Sequence, residues 1–396
     1  MYNIKKFPFF LIVLLTLMFV GVGSVFGAEP SESDFLMKGK YRLANAEMQI
    51  YSTDQGALTS QEKVSEEALY LAQAETSEEG EDKSMSPECK AFAKDKDADL
   101  GDVIRAGCKP TLAQMSALMD NPLGNVAMLF TQLDNYQLEN NAFPGTKENK
   151  TVYTGIAQFP KGLGENWNLI NRVVWQVVST PIDEDRVNNL GDFTSQPIPP
   201  KGFSGAPIDI LKGRTTGFGD LYYVGLFAPK KGRKFEGGGS FLWGAGFDLG
   251  FPTASSDVLG TGKYTAGPSG LGVYMGPKWK IGGLVQQYWD YAGDDDRSDV
   301  NLMNFQYFIY YSLSDTFSIG AAPNIIANWE ENSSNAWTVP IGIGFNTTVN
   351  IGKVPVRFGV ELHYSVVTPD AIPAPQWDFR FFVIPAAPSA LFKWMQ

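Results

Sequence analysis

Histidine and cysteine are almost missing from this chain, whose 396 residues include one His and two Cys. Metal centres built on imidazole and thiolate need more ligands than that, so no metal site is expected. Basic residues are in the minority, 32 Lys and Arg against 43 Asp and Glu, for a formal net charge of -11. A nucleic-acid partner would require a basic face, so none is expected. Apolar runs long enough to cross a membrane as helices are missing beyond the extreme N-terminus, which excludes a helical membrane bundle. GTGKYT at 260–265 places a lysine behind two glycines but lacks the full phosphate-loop pattern. No cofactor is expected.

Glycine and aromatic residues, by contrast, are plentiful: 41 Gly, with 13% Phe, Trp and Tyr. Both suit a β-protein with tight turns and belts of rings at a membrane interface.

The first 27 residues have the form of a secretory signal peptide. Lys5 and Lys6 form a basic start, residues 7–20 a nearly unbroken apolar run, and Gly21, Gly23, Ser24 and Gly27 a small-residue exit ahead of Ala28. The alternative is a retained membrane anchor. Export changes the meaning of the two cysteines. In an oxidising compartment, Cys89 and Cys108 are expected to form a disulfide.

Residues 28–125 read as an acidic, partly disordered periplasmic segment. EKVSEEALYLAQA at 62–74 has a helical pattern, and 76–99 is strongly charged. Thr111 can cap a short helix, TLAQMSALMD, that must stop near Asn121-Pro122. The segment is placed outside the barrel that follows; a plug inserted into the lumen is the alternative.

From residue 126 the hydrophobic period becomes two. In 337–351 one face carries Trp337, Val339, Ile341, Ile343, Phe345, Thr347, Val349 and Ile351, while the other carries Pro340, Gly342, Gly344, Asn346 and Thr348. In 303–313, Met303, Phe305, Tyr307, Ile309, Tyr311 and Leu313 share a face in the same way. About twelve such strands follow one another, near 127–139, 151–159, 167–179, 215–228, 239–251, 266–275, 278–290, 300–312, 315–329, 336–350, 354–367 and 375–385. Short turns at Gly276-Pro277, Leu313-Ser314 and 351–353 alternate with long polar links. The strands are long, tryptophans stand near their ends, and the opposite faces are rich in Gly, Asn and Thr. The expected fold is an all-β, transmembrane antiparallel barrel over 126–385, with a tail at 386–396.

Several blocks also carry a family resemblance. They include NPLGNVAML at 121, NWNLINRVV at 166, GFGDLYYVGLFAP at 217 and WGAGFDLGFPTASSDVLGTGKYTAGPSGL at 243. WDYAGDDDRSDVNLMNFQYFIYYSL at 289, NIIANWE at 324, WTVPIGIG at 337 and WDFRFFVIP at 377 continue the series. In that order they resemble the outer-membrane transporter family linked to the meta-pathway of phenol degradation. The resemblance covers roughly two thirds of the chain, leaving out the acidic N-terminal region. It implies a barrel in the bacterial outer membrane that passes small molecules, hydrophobic or aromatic ones among them. The partners that follow are outer-membrane lipid, lipopolysaccharide, the barrel-assembly machinery and the solutes themselves.

If the aromatic faces meet lipid, the lumen receives Arg172, Asp220, Asp248, Lys280, Arg357, Glu361, His363, Asp378 and Arg380. Apart from the histidine, these are four bases and four acids. They could form an internal lattice of ion pairs or a selective constriction. His363 and Ser365 share a strand face, a spacing that admits a serine hydrolase; the alternative is a histidine bound by Glu361 in the lumenal network. The acidic loop GDDDRSD at 293–299 reads as a solvated rim rather than a cation site. The expected function is a channel or transporter rather than an enzyme. The alternatives are a plugged barrel serving structure or adhesion and, more remotely, a membrane-embedded hydrolase.

Overall fold

The computed structural model describes residues 86–94, 106, 108, 110–124, 127–139, 147–184, 213–352, 354–370 and 374–386. The signal peptide, the helix read at 62–74 and the tail beyond 386 lie outside these residues.

Two helices, α1 (Pro87–Lys94) and α2 (Leu112–Asp120), precede the sheet. The sheet then begins with β1 (Met128–Glu139), β2 (Lys147–Leu163), β3 (Trp167–Thr180), β4 (Thr215–Phe218) and β5 (Leu221–Pro229). It continues with β6 (Arg233–Lys234), β7 (Ser240–Phe251), β8 (Lys263–Met275), β9 (Trp279–Gly293) and β10 (Asn301–Ser312). Last come β11 (Phe317–Ala321), β12 (Asn324–Asn328), β13 (Trp337–Ile351), β14 (Val354–Val367) and β15 (Ala374–Pro385).

Every pairing is antiparallel, and the sheet closes because β15 returns to β1, with Thr131 opposite Val383 and Asp134 opposite Arg380. The segments make twelve barrel strands. β6 is a two-residue extension paired with β7, while β4 with β5 and β11 with β12 are each one interrupted strand. Closure leaves no unpaired edge.

The two interruptions have chemical causes. Pro323 separates β11 from β12; it lacks an N–H and cannot donate to a ladder. Asp220, between β4 and β5, turns its carboxylate away to the connection at 252–262. It accepts from Ala254 N at 3.1 Å, Thr261 N at 2.7 Å and Thr261 Oγ1 at 2.9 Å.

Connections at one end are tight. Gly164 and Gly352 sit at φ +67° and +63° in two of these turns, a region that a side chain disfavours. The links at the other end are longer, and both barrel termini lie at the tight-turn end.

The alternation read in the sequence sorts the side chains by face. Ile343 is 69% exposed on the outside, with Ile341, Phe345, Leu362, Phe379 and Phe381 exposed around it. Rings gather near both ends of this apolar band. Trp167 meets Trp243 and Trp279 meets Tyr311 near the tight turns, at centroid distances of 5.9 and 4.9 Å. Trp329 meets Trp337 and Tyr364 meets Trp377 near the long links, at 5.3 and 4.7 Å.

Some strands are longer than the alternation suggested. β2 extends in both directions past 151–159 because its charged start, KENK, and its end, PKGL, carry no period-two signal.

Candidate functional site

The tight-turn half of the lumen is filled. α2 starts from a Thr111 cap, with Gln114 N donating to Thr111 Oγ1 at 3.2 Å and Thr111 N donating to Gln114 Oε1 at 2.9 Å. Its apolar side, with Met115 and Met119, packs on Met128, Phe382 and Ile384 of β1 and β15. Its polar side faces β9, β13 and β14. Asp120 forms ion pairs with both Lys280 and Arg357. Arg357 also donates to Ser116 O at 2.9 Å, Ser116 Oγ at 3.1 Å and Thr348 Oγ1 at 3.1 Å. Beyond the helix, Leu123 packs among Ile170, Leu226, Val273 and Leu284.

The sequence reading placed this segment outside the barrel, yet residues 112–124 lie within it. The correction has a physical reason. Asp120 and Ser116 look like an ordinary polar helix face until two lumenal cations are set opposite them. α1 is tied to α2 by Gln114 Nε2 donating to Phe92 O at 2.6 Å, and Cys89 is disulfide-bonded to Cys108.

Midway along β14, β15 and β1 lies a dense polar network. Arg380 Nε donates to Asp134 Oδ1 at 2.6 Å, and Nη1 donates to Ala322 O at 2.8 Å. Glu361 accepts from Tyr310 Oη at 2.5 Å and from Ala322 N at 3.1 Å. The break at Pro323 therefore frees both polar groups of Ala322 for the lumen. His363 stands between two carboxylates, with Nδ1 at 2.8 Å from Asp378 Oδ2 and Nε2 at 2.8 Å from Glu361 Oε2. Neither ring nitrogen remains for Ser365, so the arrangement that a serine nucleophile needs is not assembled.

Above the filled half is a cavity of about 620 Å³. Its wall mixes Gln132, Gln176, Gln286 and Asn304 with Val152, Val178, Leu302 and Ile326. The connection at 252–262 folds over it and lays Leu259 on Val152 and Val178. Arg297 holds that connection from the acidic loop, donating to Asp257 O at 2.7 Å and Gly260 O at 2.6 Å. Among the described residues no acidic, His or Cys cluster could hold a metal.

The nine charged and imidazole residues read as lumenal divide into groups. Arg172, His363, Asp378 and Arg380 line the cavity. Lys280 and Arg357 hold the helix, and Glu361 joins the central network. Asp220 fixes the 252–262 connection, and Asp248 is fully enclosed with no hydrogen-bond partner for either oxygen among the described residues. The sequence reading passed over Asp134, Tyr310, Lys150 and Asp120. Asp134 was available to it, since Gln132, Asp134 and Tyr136 share one face of β1. Asp120 was not, because its partners lie far away in the chain.

No protein-family profile and no curated protein matches the chain. The family resemblance therefore rests on its own sequence blocks. Among solved structures, an outer membrane channel from Pseudomonas putida F1 is similar at 13% identity and a TM-score of 0.45, over 66% of this chain and 94% of that one. Outer membrane phospholipase A from Escherichia coli is similar at 12% identity and a TM-score of 0.35, over 70% and 96%. The NanC porin follows at 10% and 0.34, over 64% and 98%. These figures assign no family.

Proposed function

We infer that the protein is an outer-membrane channel for small organic molecules, with its tight turns toward the periplasm. One observation carries this reading. A closed barrel turns an apolar band, edged by rings at both ends, outward while enclosing a cavity with a mixed polar and apolar wall. A band of that size exposed to water would drive aggregation, whereas lipid accommodates it. Membrane lipid and lipopolysaccharide then surround the exterior, and insertion calls for the barrel-assembly machinery. The cavity's apolar share, together with the sequence blocks, supports hydrophobic or aromatic solutes as its cargo.

The position of α2 favours a second reading, in which the barrel is permanently plugged and serves structure alone. Single-channel recording in planar bilayers separates the two. The channel reading expects conductance that rises when Asp120 is replaced by Asn; no current from either form would leave the structural reading. Chemistry is not part of the proposal, because both nitrogens of His363 are engaged. Purified protein and its Ser365→Ala variant are expected to show the same background phospholipid hydrolysis, and a loss confined to the variant would reverse that view.

A further inference from the structure

Among the described residues, Arg172, Arg357 and Arg380 face the lumen, and their surroundings differ. Arg357 is paired with Asp120, and Arg380 with Asp134 and Glu361. Arg172 forms no ion pair with any described residue and is only 9% exposed. Its Nε is enclosed without a hydrogen-bond partner among the described residues, and the side chain lies on the cavity wall. The guanidinium carbon stands 5.9 Å from the centre of the Phe130 ring, a contact that orients a cation but does not neutralise it.

An enclosed, unpaired guanidinium is costly unless an acceptor arrives. The nearest carboxylate in the ladder does not supply one. Arg172 is opposite Val224, and Val224 is opposite Asp248, so a whole strand separates the two. Asp248 is also absent from the cavity wall.

The space in front of Arg172 has a definite character. Tyr222, diagonal to it across the β3–β5 ladder, meets Tyr288 edge-on at 5.5 Å. Tyr288 Oη accepts from Gln286 Nε2 at 2.6 Å, so its own hydrogen is left to donate. Val174 and Leu284 complete an apolar surround. Toward the long-link end, Lys150 also lines the cavity, with no ion pair among the described residues. Two uncompensated cations thus mark the cavity at different depths, while its carboxylate Asp134 is engaged by Arg380 and Asp378 by His363, the latter through Oδ2 alone.

We propose that Arg172 is the recognition point for a small organic acid. The carboxylate of the ligand binds the guanidinium and the Tyr288 hydroxyl, and its apolar body lies along Tyr222, Val174 and Leu284. Lys150 draws the anion in from the mouth. This deepens the channel reading, on which it relies for the ligand's route, and adds a charge preference that a hydrophobic channel would not have.

Calorimetry on the full-length protein in uncharged detergent tests the assignment with four probes: benzoate, benzyl alcohol, benzylammonium and inorganic phosphate. Benzoate is expected to bind about tenfold or more tightly than the other three, the scale of one charge-assisted hydrogen bond. Arg172→Gln is expected to remove that advantage and Arg172→Lys to restore part of it, with folding checked by heat-modifiable gel mobility. Should Arg172→Gln fail to fold, the probe series on the unaltered protein decides by itself. Equal binding of benzyl alcohol, equal binding of phosphate, absence of benzoate binding, or a folded Arg172→Gln that keeps full benzoate affinity would each overturn the proposal. Bilayer conductance is read separately. A conducting barrel that ignores benzoate retains the channel reading and loses this one, and a silent barrel that binds benzoate does the reverse.

Discussion

Asp120, the last residue of the helix inside the barrel, is ion-paired with Arg357 on the barrel wall, and both side chains are more than nine-tenths enclosed. Lys280 reaches the same carboxylate. One acidic side chain therefore bridges two lumenal cations and fastens the helix. Breaking a buried pair by removing one partner leaves an uncompensated charge. Asp120→Asn is expected to loosen the helix, raise single-channel conductance and expose the segment around 112–124 to added protease. Unchanged conductance and unchanged proteolysis would mean that apolar packing around Met119 and Leu123 is sufficient to hold it.

The central network offers a sharper stability test. Asp134→Ala strips Arg380 of its 2.6 Å partner while leaving the guanidinium enclosed. The expected cost is about 3–5 kcal/mol, read as a lower urea midpoint for unfolding in lipid vesicles. A drop of less than about 1 kcal/mol would show that Glu361 and Ala322 satisfy Arg380 by themselves.

Asp248 should behave in the opposite way. Its carboxylate oxygens find no donor among the described residues, so removing the charge deletes no favourable contact. Asp248→Asn is expected to be neutral or stabilising, within about 1 kcal/mol in the same urea assay. A large loss of stability would reveal a partner outside the described residues or an ordered water.

Depth dependence tests the lipid-facing band. Ile343 stands at the middle of β13, while Val366 lies near the long-link end of β14; both are exposed on the outside. Ile343→Arg is expected to cost about 2–4 kcal/mol and Val366→Arg about 0–1 kcal/mol, because an arginine near the interface reaches water. Equal effects in refolding titrations would argue that the band does not sit in a bilayer.

Much of the barrel is legible in the order of its residues. Period-two alternation is local, so 337–351 declares its two faces residue by residue, and the same face assignment puts Glu361, His363 and Arg357 on one side of β14. The interruption at Pro323 carries its own signal in a missing N–H. Strand ends are harder. The charged start of β2 pairs through its backbone, to which alternation is blind. The polar network is legible only as a set of inward residues. Which of them meet, and that Asp134 completes the pairing of Arg380, depends on β15 returning to β1.

By itself the amino-acid order determined a barrel of twelve alternating strands, its outward and inward faces and the helix capped by Thr111. The strands, their faces and the cap follow from patterns among residues close in the chain. The tertiary structure decided what the inward residues do. Closure brought Arg380 to Asp134 across 246 positions, and the helix inside the barrel brought Ser116 to Arg357 across 241. Closure also left Arg172 on the cavity wall with no acid paired to it among the described residues. Charges enclosed in a lumen take their meaning from their partners, and only the closed fold selects those partners.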